Sequence, residues 1–194
     1  VLMNHANLSP LLHWVYGHMG ISAGDRTVQN LSYYFDWSVM EIFGTITSGA
    51  SLYMVPGEML LSAGEYVDFM ISRCITVLYI TPTHYQTLVK EEKKLGSLGY
   101  LCIGAEKLGY DLVRSSYEQV SAGCRIFNMY GPTETGIISA VLEVDREKND
   151  YYKELYGVPI GRPVGNTRLL VLAKDMKLSP LYVVGELYIS DHSL

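Results

Sequence analysis

Hydrophobic residues in the middle of the chain fall into short runs, separated by longer stretches in which apolar positions recur at helical spacing. Ser51 to Val55, Ile75 to Tyr79, Tyr100 to Ile103 and Arg125 to Phe127 are the short runs. With Gly, Pro or Asn near their ends, they predict buried strands. Helices are predicted over Ser38 to Thr47, Ala63 to Ser72 and Leu108 to Ser121, and from Pro82 through Tyr85 and Leu88. This alternation implies parallel βα units with right-handed crossovers. Upstream, Leu8 to Tyr16 reads as a helix capped by Asn7 or Ser9, with Pro10 in its first turn and Gly17 and Gly20 ending it. Asp25 to Asn30 follows as a strand. Ser38 and Glu41 stand at capping-box spacing, which leaves Asp36 without a capping duty.

Beyond Glu134 the pattern changes. Ile138 to Val144, Arg168 to Leu172 and Gly185 to Ile189 are strand-like but separated by turns, which suggests a small antiparallel or barrel-like region packed on the sheet. Asp145 to Tyr156 is charged and aromatic and reads as an exposed connection. The expected division is an α/β unit over residues 1–144, a parallel sheet with flanking helices, then a connection and part of a barrel-like unit over 145–194.

Composition narrows the function classes. The 194 residues are 48% hydrophobic and 18% charged, with net charge -5 and no basic run, which argues against nucleic acid as a partner. No apolar stretch is long enough for a membrane span and no export signal opens the chain. Cys74, Cys102 and Cys124 are far apart and form no CxxC pair, so neither a disulfide framework nor a zinc site is suggested and a cytoplasmic setting is expected. The five histidines, His5, His13, His18, His84 and His192, have no ligand spacing. Val1 is not an initiator methionine, and with the abrupt ending at Ser193-Leu194 it suggests an excerpt of a longer chain.

The densest chemistry lies in Arg125 to Ile138 (RIFNMYGPTETGII). A short strand is expected to break at Asn128 into a turn at Gly131-Pro132, and loops at the carboxyl ends of strands are where open α/β sheets bind ligands. Asn128, Tyr130, Thr133 and Glu134 bring an amide, a ring, a hydroxyl and a carboxylate to one loop. That set suits a base, a phosphate and a metal; the plainer alternative is a polar strand-end turn.

Several stretches agree in order and spacing with one family: Phe35-Asp36-Trp37-Ser38, Asn128 through Glu134, Pro159-Ile160-Gly161-Arg162-Pro163 with Asn166-Thr167, and Gly185 through Ile189. Together they resemble the adenylation domains of nonribosomal peptide synthetases, within the adenylate-forming superfamily, over essentially the whole chain. The resemblance implies the central part of the large N-terminal lobe. It also implies activation of an amino acid by ATP and Mg²⁺, then transfer to a phosphopantetheine thiol on a peptidyl carrier domain. By that resemblance Asn128 and Tyr130 meet the adenine, with Gly104-Ala105-Glu106, Met129 and Gly131 beside it. Thr133 donates to the α-phosphate and Glu134 holds the metal. Asp36 pairs with the substrate ammonium, and Trp37, Met40, Tyr79, Cys102, Gly104, Met129, Ile137 and Ile138 line the side-chain pocket. Apart from Asp36 this lining is uncharged, so a neutral amino acid of small to medium size is expected.

The family's phosphate loop would precede Val1, and its ribose-binding aspartate and catalytic lysine would follow Leu194, so no turnover is expected from these residues alone. Asp191 stands where the family usually has a glycine. The alternatives are an acyl-CoA synthetase or another AMP-forming ligase, against which Asp36 speaks, and a non-catalytic nucleotide-binding module.

Overall fold

The computed structural model describes residues 1–155 and 157–190; Asp191 and His192, named above, lie outside them. Helix α1 (His5–Trp14) begins earlier than the pattern predicts. Asn4 caps it through the N–H groups of Ala6 and Asn7, while Asn7 Oδ1 accepts from the Asn4 N–H, so Pro10 sits inside the helix and not in its first turn. A π-helical turn (Val15–Met19) and Gly20, at φ 84, end it. Strand β1 (Arg26–Gln29) leads to α2 (Trp37–Val39), a π-helical turn (Met40–Gly44) and α3 (Thr45–Thr47), one continuous helical stretch. Then come β2 (Ser51–Met54), α4 (Ala63–Ser72), β3 (Val77–Ile80), α5 (Pro82–Val89), β4 (Tyr100–Gly104), α6 (Tyr110–Gln119) and β5 (Arg125–Tyr130). The expected alternation is therefore present.

Two further expectations are corrected. β5 continues through Asn128 to Tyr130, because each of its residues pairs with β6 or β4 on either side. The segment after Val144 is not a bare exposed connection: it contains α7 (Asn149–Glu154), whose Tyr152 is buried and whose ring hydroxyl accepts the Asp145 N–H.

The main sheet has the order β2-β1-β3-β4-β5-β6-β7; β1 to β5 are parallel, β6 (Ala140–Glu143) pairs antiparallel with β5, and β7 (Arg162–Pro163) pairs antiparallel with β6. A separate antiparallel pair, β8 (Arg168–Leu172) and β9 (Glu186–Ser190), follows. Because side chains alternate across a strand, the sheet carries two apolar clusters. Leu78, Ile80, Leu101, Ile103 and Ile126 pack with Tyr66, Tyr85 and Val113 of α4, α5 and α6. Val77, Tyr79, Cys102, Phe127 and Met129 pack with Leu11 of α1, Trp37 and Met40. The chain turns back on itself between β1 and β3, which makes their carboxyl ends a topological switch point, the usual ligand crevice of such sheets.

Candidate active site

Asp36 stands at the N-cap position of α2, after a turn closed by the Phe35 N–H on the Ser32 carbonyl at 2.8 Å. Its carboxylate makes no cap bond. Instead Thr133 Oγ1 donates to Asp36 Oδ2 at 2.5 Å, joining residues 97 positions apart. The expected ammonium partner and the expected phosphate donor thus meet at one point. A mostly apolar cavity of about 260 Å³ opens on this pair, with Leu8, Val39, Phe43, Gly136 and Ile137 among its walls.

The other expected pocket residues gather beneath. Trp37, Met40, Tyr79, Cys102, Met129, Ile137 and Ile138 are all buried in the same cluster. Gly104 explains part of that packing: a β-carbon there would lie 2.4 Å from Trp37 Cη2 and 2.1 Å from the Met129 carbonyl oxygen, so the indole occupies the space a side chain would need. Burial pushes the Cys102 thiol well above its ordinary value, aided by Cys124 and opposed by Arg125, so it contributes a neutral wall. Asp36 and Ile137 face the cavity directly, whereas the rest support it.

The turn after β5 is tightly built. Thr133–Thr135 form a single 3₁₀ turn closed by Gly136 at φ 78, and Ile137 follows at φ 79, a left-handed conformation that a β-branched residue rarely adopts. A β-carbon at Gly131 would lie 2.4 Å from the Ile137 carbonyl oxygen, so the glycine lets the two limbs touch. The Thr135 and Ser139 hydroxyls, 2.5 Å apart, lock the base of the turn. Glu134 is exposed at its tip.

A cleft of about 400 Å³ lies on the other side of the turn, lined by Ala105, Glu106, Asn128, Met129, Tyr130 and Gly131 together with Lys107, Leu108, Pro132, Val158 and Ile160. It collects all the expected nucleotide-side residues except Gly104 and Thr133. Ala105 takes a left-handed φ of 68 at its edge. Two of these residues are already engaged. The Asn128 amide nitrogen donates to the carbonyls of Val158 (3.1 Å) and Pro159 (2.9 Å), which leaves the amide oxygen and not a donor for a ligand. Glu106 accepts from the Thr83 N–H (3.2 Å) and hydroxyl (2.5 Å) at the start of α5, so it ties the Ala105 loop to that helix.

The predicted capping box is not formed. Glu41 is fully buried, and its carboxylate accepts from the N–H groups of Asn30 (3.3 Å) and Leu31 (3.1 Å), from Asn30 Nδ2 (2.5 Å) and from Gln29 Nε2 (3.4 Å). Burial pushes its carboxyl up to about 8, against the opposing effect of those donors. Nothing in the local sequence distinguishes this from a cap, because the partners belong to the exit of β1. Among the described residues no group of three or more His, Cys, Asp or Glu side chains could hold a metal ion. No helix among them is long and apolar enough to cross a membrane.

Comparison with known proteins agrees with this architecture. The family model described as AMP-binding enzyme matches residues 1–194. Malpinin synthetase of Mortierella alpina is 36% identical over 190 residues, 98% of this chain and 2% of that protein. Surfactin synthase subunit 2 of Bacillus subtilis (strain 168) is 32% identical over 190 residues, 96% of this chain and 5% of that protein. The chain thus spans a small fraction of the length of these relatives. Among solved structures, the nonribosomal peptide synthetase FmoA3 (S1046A) superposes with a TM-score of 0.91 at 22% identity, over 100% of this chain and 21% of that one. The four-domain nonribosomal peptide synthetase holo-AB3403, bound to AMP and glycine, superposes with a TM-score of 0.89 at 26% identity, over 99% and 14%.

Proposed function

The chain belongs to the AMP-binding enzyme family, and from that premise we propose that it is part of a nonribosomal peptide synthetase adenylation domain that activates a neutral amino acid. The observation that carries this reading is the 2.5 Å hydrogen bond from Thr133 to Asp36. It puts an anionic group suited to an ammonium beside a hydroxyl suited to a phosphate, with an apolar cavity on one side of the turn and a wider cleft on the other. In the reaction a carboxylate oxygen of the amino acid attacks the α-phosphorus of ATP, the bond from that phosphorus to the β-bridging oxygen breaks, and pyrophosphate leaves. A carrier-domain phosphopantetheine thiol then displaces AMP from the carbonyl carbon. The parent enzyme would work in the cytoplasm, where its carrier and neighbouring domains present that thiol.

The residues present fit the nucleotide. The cleft beside β5 has an apolar wall from Val158 and Ile160, with Tyr130 and Gly131 among its lining residues. Tyr130 stacks on the base, a contact worth about 1–3 kcal/mol, and Asn128 Oδ1 offers an acceptor to its edge. A bound Mg²⁺ neutralises phosphate charge. Glu134, exposed at the turn tip, is the side chain we assign to hold it, one carboxylate being enough for an ion bound largely by phosphate and water. Thr133 orients the α-phosphate once its single hydroxyl proton turns from Asp36, and Asp36 takes the ammonium in its place, so the chain's main contribution is positioning.

The test is ATP–pyrophosphate exchange by the full-length parent, screened across amino acids. Exchange with neutral amino acids is expected, and exchange driven only by aspartate or lysine would overturn the pocket reading. Asp36→Ala should weaken activation by roughly 100-fold in kcat/KM, in line with loss of the half-buried charge that would pair with the substrate ammonium; an unchanged value would remove Asp36 from ammonium binding.

A further inference from the structure

We infer that Glu41 is a positioning residue that sets where Asp36 stands, and so governs how well the site recognises an α-ammonium group. This rests on the proposed amino-acid-activating role. Glu41 sits on the first turn of the π-helical stretch, on the same helical run that Asp36 opens. Its two oxygens hold the last residue of β1 and the two that follow: Oε1 takes Asn30 Nδ2 and the Asn30 N–H, Oε2 takes the Leu31 N–H and Gln29 Nε2. Asn30 Nδ2 donates in turn to the Tyr79 carbonyl (2.9 Å), which joins the clamp to β3. Glu41 therefore fastens the helix bearing Asp36 to the ends of both strands at the switch point.

The Asn30 and Leu31 N–H groups lie past the last β1 residue paired in the sheet, and Glu41 is what satisfies them. Without it two buried donors lose their acceptor, an outcome costly enough to make the segment rearrange. That segment is the short turn through Ser32–Phe35 leading to Asp36, so its rearrangement displaces the carboxylate from Thr133. Tyr66 of α4, in the opposite layer, is fully buried and near enough for the Glu41 charge to raise its hydroxyl further above the ordinary value, after burial as the main cause.

The experiment uses the full-length parent with Glu41→Leu, which keeps the volume and removes both acceptors, and Glu41→Gln, which keeps one acceptor oxygen. Exchange rates are measured for the preferred amino acid and for the same acid lacking its α-amino group. Deuterium uptake is followed in the peptide spanning residues 26–36. Glu41→Leu should raise the KM for the amino acid roughly tenfold, leave the KM for ATP within about twofold and lower the preference for the amino acid over its des-amino analogue. Uptake at residues 30 and 31 should rise. Glu41→Gln, which keeps an acceptor for one of the two backbone N–H groups, should fall between the wild type and the leucine variant in both. If the leucine variant fails to fold, Asn30→Ala, which removes the 2.5 Å partner, should show the same loss of preference. Unchanged preference in the folded variants overturns the inference, as does unchanged uptake. A parent that exchanges with no amino acid sinks the proposed function, while the uptake arm still decides whether Glu41 holds the segment.

Discussion

At Gly104 the site has no room for one more carbon. A β-carbon would press on the Trp37 indole and on the Met129 carbonyl, one a side chain set by α2 and the other a backbone atom of the next strand. Since neither neighbour can swing away without disturbing the buried cluster, Gly104→Ala should cost about 1–3 kcal/mol of stability, the usual range for overpacking. Thermal unfolding of the parent domain reads this, and an unchanged midpoint would mean that the indole has freedom the packing does not suggest. The Asp36–Thr133 pair makes a second prediction. Asp36→Asn, Thr133→Val and the double variant should show a coupling of roughly 0.5–3 kcal/mol in kcat/KM for the amino acid. Additive effects would mean that the two side chains act independently. Both residues are legible in the sequence because each lies in a motif with an unusual set of polar groups, but their mutual hydrogen bond is not, since it spans 97 positions.

At the scale of elements, β5 and the stretch that crosses it depend on one amide. Asn128 is a poor strand former by propensity, which is why the sequence pattern breaks the strand there. The structure continues the strand because the Asn128 backbone pairs with Ile103 of β4 and Leu142 of β6, while its side chain finds partners in the Val158 and Pro159 carbonyls. Asn128→Leu removes both donors and leaves two acceptors on the cleft wall, so it should cost about 2–4 kcal/mol and speed proteolysis between Gly157 and Arg162. Equal protease resistance would show that the stretch is held by its other contacts. Strand and helix identities are readable here from apolar runs and amphipathic spacing. The antiparallel joining of β6 and β7 to the same sheet is not, because pairing partners are chosen by tertiary contact and the turn-rich pattern fits a separate unit equally well.

For the molecule as a whole, the order β2-β1-β3 matters more than any single strand, because it brings the ends of β1 and β3 together and buries Glu41 between them and the helical layer. Sequence alone assigns Glu41 to a cap, since Ser-x-x-Glu before an apolar run is a local signal and burial at a switch point is a global one. The burial has a consequence for stability. The folded carboxyl is raised from 4.5 to about 8, so between those values the folded protein holds a proton that the unfolded chain releases. The associated stabilisation is complete below the lower value and is lost progressively as pH rises through the upper one, at about 1.4 kcal/mol for each pH unit within the interval. Glu41→Gln cannot ionise and lacks this slope. Denaturant midpoints taken at about pH 6 and about pH 9 should therefore fall more steeply for the wild type than for the glutamine variant. Parallel declines would mean that Glu41 keeps an ordinary carboxylate equilibrium, its four N–H donors offsetting the cost of burial.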